Sequence, residues 1–142
     1  MAKLQGDSAA EFEEMRVRAV QEIKNGNHDE VRDMLSSAWD NLPDGKYEYS
    51  ESYIIVWYIL SNSIECNDIG TMNQWVDKIF HAAPSRGDTG EREMWAGRVA
   101  YESGEKEKAL GYFRVAHKKS KGRAFWKDDT KYKAFLMENG LT

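Results

Sequence analysis

Three histidines, one cysteine and several adjacent carboxylates are the groups in this chain that could bind a metal, attack as a nucleophile or move a proton. Such chemistry needs these groups to converge, and convergence shows in a sequence as HExxH, paired cysteines or a nucleophile signature. Here His28, His81 and His117 lie in three separate segments, no HExxH occurs, and Cys66 stands alone. His28 and His81 fall at predicted helix boundaries, where a histidine serves as a cap or surface residue. Cys66, at a helix end, reads as a small, partly buried side chain. The acid pairs Glu13 with Glu14 and Asp128 with Asp129 are adjacent in sequence, point in different directions on a helix and read as solvated faces. The expectation is a protein without catalytic activity, metal or cofactor.

The run KKSKGR from Lys118 to Arg123, followed by Phe125 and Trp126, has the ingredients of nucleic-acid contact, phosphate neutralisation beside ring stacking. A structural reading accounts for it better. Lys118, Lys119 and Lys121 close a helix whose C-terminal dipole favours cations, while Phe125 and Trp126 pack the last helix onto the rest. Nucleic acid is therefore not the expected partner. The net charge of −4 conceals a polarity: Met1 to Ser52 carries 12 acids against 6 bases, and His117 to Thr142 carries 7 bases against 3 acids. Such polarity bears on steering and partner choice.

The elements that would position these groups are helices. Phe12, Met15, Ala19, Val20 and Ile23 recur at helical spacing and predict a helix from about Ala9 to Lys24, ended by Asn25, Gly26 and Asn27. A second stripe, Val31, Met34, Leu35, Ala38 and Leu42, runs to Pro43. After the loop PDGKYEYS, Ser50 or Ser52 is expected to cap a third helix to Ile64 or Glu65, broken by Asn67 and Asp68. A fourth begins near Gly70, turns Met72, Trp75, Val76, Ile79, Phe80 and Ala83 inward, and ends at Pro84. The loop Ser85 to Gly90 precedes a fifth, with Met94, Gly97, Ala100 and Tyr101 inward. The turn Ser103 to Glu105 leads to a sixth bearing Ala109, Leu110, Phe113, Ala116 and His117. A last helix, from roughly Asp128 to Glu138, carries Tyr132, Phe135 and Leu136. The longest apolar run, YIIVWYIL from Tyr53 to Leu60, falls short of the roughly 20 residues that cross a bilayer. With no apolar signal-like stretch in Met1 to Ser8 and a single cysteine, a reducing, cytoplasmic setting without membrane contact is expected.

The helices repeat. Pro43 and Pro84 are 41 residues apart, and equivalent places in the second helices fall at Val31, Met72 and Ala109, at steps of 41 and 37. A single helix pair cannot bury its apolar face and needs a stacked neighbour, so such a period predicts an array. The third unit, EREMWAGRVAYESGEKEKALGYFRVAHKKS, resembles a tetratricopeptide repeat. Gly97 stands where that family places a glycine in the first helix so that two backbones can approach. Gly104 matches the turn glycine, and Ala109, Phe113 and Ala116 match the small, aromatic and small positions of the second helix. Ala96, Glu93 and Lys121 depart from the usual leucine, tryptophan and proline. The fold expected is all-α: one domain over residues 1–142, a right-handed superhelical array of three antiparallel pairs at about 9–43, 51–84 and 89–120, closed by a helix at about 126–139.

The order of these pieces is also similar to small bacterial tetratricopeptide-like proteins that accompany polymorphic toxins as immunity proteins. That resemblance implies a partner protein, a cognate toxin domain, neutralised by covering its active site. If the target were a nuclease, Glu11, Glu14, Asp29, Asp33 and Asp40 would imitate its phosphate backbone. The alternative is a general adaptor or co-chaperone. Repeats that hold chaperone C-termini use lysines, arginines and asparagines on the first helices, whereas the middle unit here offers Trp57, Tyr58 and Ser61. In arrays of this kind the first helices line the concave face, which places Arg16, Val20, Trp57, Ser61, Met94, Arg98 and Tyr101 on the candidate binding surface. Tyrosine and tryptophan are frequent interface anchors.

Overall fold

The apolar stripes do form helices. The computed structural model describes residues 2–82, 87–126 and 130–142, and the described residues contain helices and connecting turns with one isolated β-bridge. The expected roles of Ala83, Pro84, Ser85 and Asp128 lie outside the described residues. The helices are α1 (Gly6–Lys24), α2 (His28–Asp40), α3 (Ser50–Glu65), α4 (Ile69–Trp75), α5 (Glu91–Glu102), α6 (Lys106–Ser120) and α7 (Thr130–Asn139). The chain divides into two compact units, Met1–Ala83 with α1 to α4 and Pro84–Thr142 with α5 to α7. Among the described residues no helix is long and apolar enough to cross a membrane.

In the first unit α1 packs on α2, α2 on α3, and α3 on α4 and its extension. Val31, Leu35 and Trp39 form the buried line of α2, and Leu42, just past its end, continues it. Trp39 is thus a core residue absent from the predicted stripe, while Met34 and Ala38, which were in it, remain half-buried. Trp39 meets Trp75 and Tyr47 edge-on, each with ring centres 5.5 Å apart. The fourth helix is not α-helical throughout: beyond Trp75 it tightens into a 3-10 stretch, Val76–Phe80, a common ending for an α-helix.

The same turn joins α1 to α2, α3 to α4 and α5 to α6. Gly26, Asn67 and Gly104 all have positive φ, and in each case the following residue donates its N–H to a carbonyl five positions back: Asn27 to Glu22, Asp68 to Ser63, and Glu105 to Ala100, at 2.9, 2.8 and 2.9 Å. This left-handed ending satisfies carbonyls that a helix C-terminus leaves bare, and glycine and asparagine enter it at least cost. Its positions repeat the sequence steps of 41 and 37. After Asn67, Asp68 caps α4, accepting from the Thr71 hydroxyl at 2.7 Å and the Thr71 N–H at 3.2 Å. These bonds and the nearby Arg32 hold its carboxyl below the ordinary value.

Polar side chains fix the helix ends in ways the stripes do not reveal. Neither Ser50 nor Ser52 caps α3. Ser52 donates its hydroxyl back to the Tyr49 carbonyl, and the N–H of Ser50 is taken by the Ala2 carbonyl at 2.9 Å. The first residues of the chain thereby cover the start of α3, and the Leu4 N–H bonds the Glu51 carboxylate at 3.1 Å. Lys46 reaches back to the carbonyls of Trp39, Asp40 and Leu42, placing a cation on the bare acceptors that follow α2. Cys66, expected to be partly buried, is exposed at the C-terminus of α3.

His28 is an inter-helix lock rather than a cap or a surface residue. Its Nδ1 lies 2.7 Å from Asn62 Oδ1, and Asn62 Nδ2 donates to the His28 carbonyl at 3.0 Å. With the amide nitrogen so engaged, Oδ1 accepts and Nδ1 carries the proton. Asn62 is only 3% exposed, so His28→Ala leaves a buried acceptor without its donor. We expect a loss of about 1–3 kcal/mol. Urea unfolding followed by circular dichroism should show the lower midpoint, and an unchanged midpoint would refute the lock.

The second unit is built around Phe113, fully buried on α6 with Ala109 and Ala116 on the same buried face. Phe125, Tyr132 and Phe135 surround its ring at 5.8, 5.5 and 6.2 Å between centres. Gly97 is required, though what approaches its backbone is this ring and not another backbone: a Cβ there would stand 2.5 Å from Phe113 Cε1. Of the two aromatics expected to pack the last helix, Phe125 does so, and Trp126 does not, being 68% exposed. The C-terminal end of α7 is held by Arg114, which donates to the carbonyls of Asn139 and Gly140 at 2.9 and 3.0 Å.

Candidate functional site

The helical repeat of α3 sorts its eight-residue apolar run by direction. Ile55, Val56, Ile59 and Leu60 are buried, as is Tyr53, while Ile54, Trp57, Tyr58 and Ser61 fall on one stripe that stays partly open. The helix is therefore open along that stripe, where Trp57 is 37% exposed. The Trp57 and Tyr58 rings meet edge-on, with centres 5.0 Å apart.

Arg16 of α1 joins them. Its guanidinium makes a two-point contact with Glu13, Nη2 to Oε1 at 2.5 Å and Nε to Oε2 at 2.9 Å. It lies near the Tyr58 hydroxyl as well, and these neighbours, Glu13 first, hold its pKa above the ordinary value, so it stays charged. Glu13 is correspondingly more acidic, chiefly through the bond from Arg16. A fork donor held at two points has a fixed direction. The first unit therefore presents a half-open patch of Arg16, Tyr58 and Trp57, with Ser61 one turn further along α3. Tyr58, already named with Trp57 and Ser61 in the middle unit, and Glu13, which was not among the expected site residues, complete this patch.

The remaining candidates belong to the second unit, and α7 engages them there. Met94 is 4% exposed and sits in the core with Phe113, Phe125 and Leu136, so it offers no surface to a partner. Tyr101 is edge-on to Tyr132 and Phe135 at 5.3 and 5.2 Å, with the Lys106 ammonium 3.1 Å from its ring centre. Arg98 lies over the rings of Trp95 and Tyr132 at 4.7 and 5.7 Å. Their half-exposed remainder is surface, but much of each side chain is spent on closing the unit.

The basic run is equally committed. Lys119 donates to Glu93 Oε1 at 3.0 Å and to the Gly87 carbonyl at 2.9 Å, so it joins α6 to α5 instead of neutralising the helix end. Lys121 occupies the left-handed C-cap of α6. His117 packs near Phe125, ring centres 6.0 Å apart, and His81 stands beside Tyr47 at 5.5 Å. Among the described residues no group of three or more His, Cys, Asp or Glu could hold a metal ion.

Comparison of the chain with protein-family models, with curated proteins and with solved structures finds no match.

Proposed function

We propose that this chain is a non-catalytic protein-binding module of tetratricopeptide-like helix pairs, and in its most concrete form an immunity protein that neutralises a cognate bacterial toxin domain. The recurring turn, the Gly97 and Phe113 contact and the buried Ala109 and Ala116 support the repeat reading. The toxin reading rests on the sequence resemblance. The observation that carries binding is Trp57, 37% exposed yet braced edge-on against Tyr58, with the Arg16 guanidinium, fixed by Glu13, close by. A large ring fixed before the partner arrives loses little entropy on binding, which is the character of an interface hot spot.

The test is a titration of the purified chain with the toxin-like protein encoded beside it. A complex is expected, and Trp57→Ala should weaken it about 30-fold or more, the size of a loss of about 2 kcal/mol at a hot spot. Arg16→Glu, at a half-exposed site, should weaken it as well. Absence of any complex would overturn the toxin reading, and a complex indifferent to both substitutions would move the binding face elsewhere. Tight, salt-sensitive binding of an acidic C-terminal peptide would instead identify a general adaptor.

A further inference from the structure

A second surface of the first unit lies on the other side of α1. Glu13 and Arg16 flank the buried Ala19 line on one side, while Glu11, Met15 and Arg18 flank it on the other. There α1 and α2 part to leave an open cavity of about 230 Å³ whose floor is Leu4, Phe12, Met15, Met34, Ala38 and Leu42. It continues into a shallower hollow of about 280 Å³ between Glu11, Glu14, Met15, Arg18 and Met34. Phe12, Met15, Met34 and Ala38 are half-buried: they pack against one another yet remain reachable. The two methionines give the floor an unbranched, adaptable surface suited to taking up another apolar side chain.

The charge around this groove selects its occupant. Arg18, the cation that lines it, is paired with Glu30 at 2.9 Å. Glu11 and Glu14 are exposed on the rim and have no ion-pair partner among the described residues. The rim is therefore net negative over an apolar floor. A second copy of the same face would bring Glu11 and Glu14 against their own kind, which disfavours a symmetric dimer through this groove. A segment with leucine, methionine or phenylalanine at helical spacing, flanked by lysine or arginine, would fill the floor and neutralise the rim.

We propose that the groove between α1 and α2 receives a cationic amphipathic helix of a partner protein. This surface is separate from the Arg16 and Trp57 patch and does not depend on it. The probe is a fluorescein-labelled leucine and lysine peptide of about 18 residues with its leucines on one helical face, titrated against the full chain and read by anisotropy. Two control peptides accompany it, one with every lysine replaced by glutamate and one of the original composition with its leucines scattered around the helix. The facial lysine peptide is expected to bind at least 10-fold more tightly than either control. Joint Glu11→Lys and Glu14→Lys should weaken it at least 10-fold with the thermal midpoint unchanged, because both positions are exposed. Met34→Glu should abolish binding, whereas Trp57→Ala should leave it unaltered. Equal binding of the scattered peptide would mean charge attraction alone and overturn the proposal, as would no binding at all. Sedimentation showing a dimer that dissociates in the Glu11→Lys and Glu14→Lys variant would give the groove to a second copy and overturn it too.

Discussion

Phe113→Ala is expected to remove about 3–5 kcal/mol from the stability of the Pro84–Thr142 unit, the usual cost of emptying a fully buried aromatic site. The side chain sits among three other rings, and its neighbours belong to α5, to α7 and to the 3-10 turn Arg123–Phe125, so no single helix can collapse into the space. Its edge also rests on the bare backbone of Gly97, which makes the two positions one device. Gly97→Ala alone drives a methyl group into the ring and should cost about 1–3 kcal/mol by overpacking. Combined with Phe113→Leu, which lacks Cε1 and Cζ and has a branched end free to turn aside, the methyl group gains room, and the double variant should lose less than the sum of the two single losses. Denaturant unfolding of the four proteins checks this through the coupling energy. Additivity within error would mean that Gly97 is there for its backbone conformation and not for the ring.

The legible parts of this protein are those that leave a period or a special backbone residue in the chain. Gly97, Gly104, Ala109, Phe113 and Ala116 could be assigned through the resemblance of the third unit to a tetratricopeptide repeat, a pattern legible because each position must be small or large for a steric reason. Breaks at Gly26 and Asn67 were legible for the same reason, since left-handed φ selects glycine and asparagine. The interactions that escaped are single polar pairings between distant positions: His28 with Asn62, Lys46 with the end of α2, Ala2 and Leu4 with the start of α3. A lysine that caps a helix and a lysine in solvent look alike in a sequence. The candidate site divides along the same line. Arg16, Trp57 and Ser61 were identified as first-helix residues and do lie on the open side of α1 and α3. Met94 satisfied the same spacing rule and is core, because α7 covers its neighbourhood, and which face a last helix covers is a long-range fact. Trp126 shows the converse: its size suggested packing, but the left-handed Lys121 and Gly122 that end α6 leave its ring in solvent.

Lys119→Met is expected to cost about 3 kcal/mol. Glu93 stands on α5 beside the buried Met94, Trp95 and Ala96, and its side chain is 8% exposed. Lys119, 39% exposed, supplies the compensating charge at 3.0 Å. Removing the lysine strands a carboxylate beneath the surface, and stranded buried charges cost about 3–5 kcal/mol. The half-open lysine admits some water, which sets the lower end of that range. The pair itself need not be stabilising, because drawing both ions out of water opposes their attraction. Glu93→Leu with Lys119→Met should therefore recover most of the loss and come within about 1 kcal/mol of the parent chain, since an apolar side chain suits the place where Met94, Trp95 and Ala96 are also buried. Lys119→Met also removes the bond to the Gly87 carbonyl, so a residual deficit in the double variant measures that bond alone. Thermal unfolding of the two single variants and the double separates the terms. If Lys119→Met is neutral, Glu93 is served by water and the pair is a surface contact; if the double variant is as unstable as Lys119→Met, the charges are what orient α6 on α5.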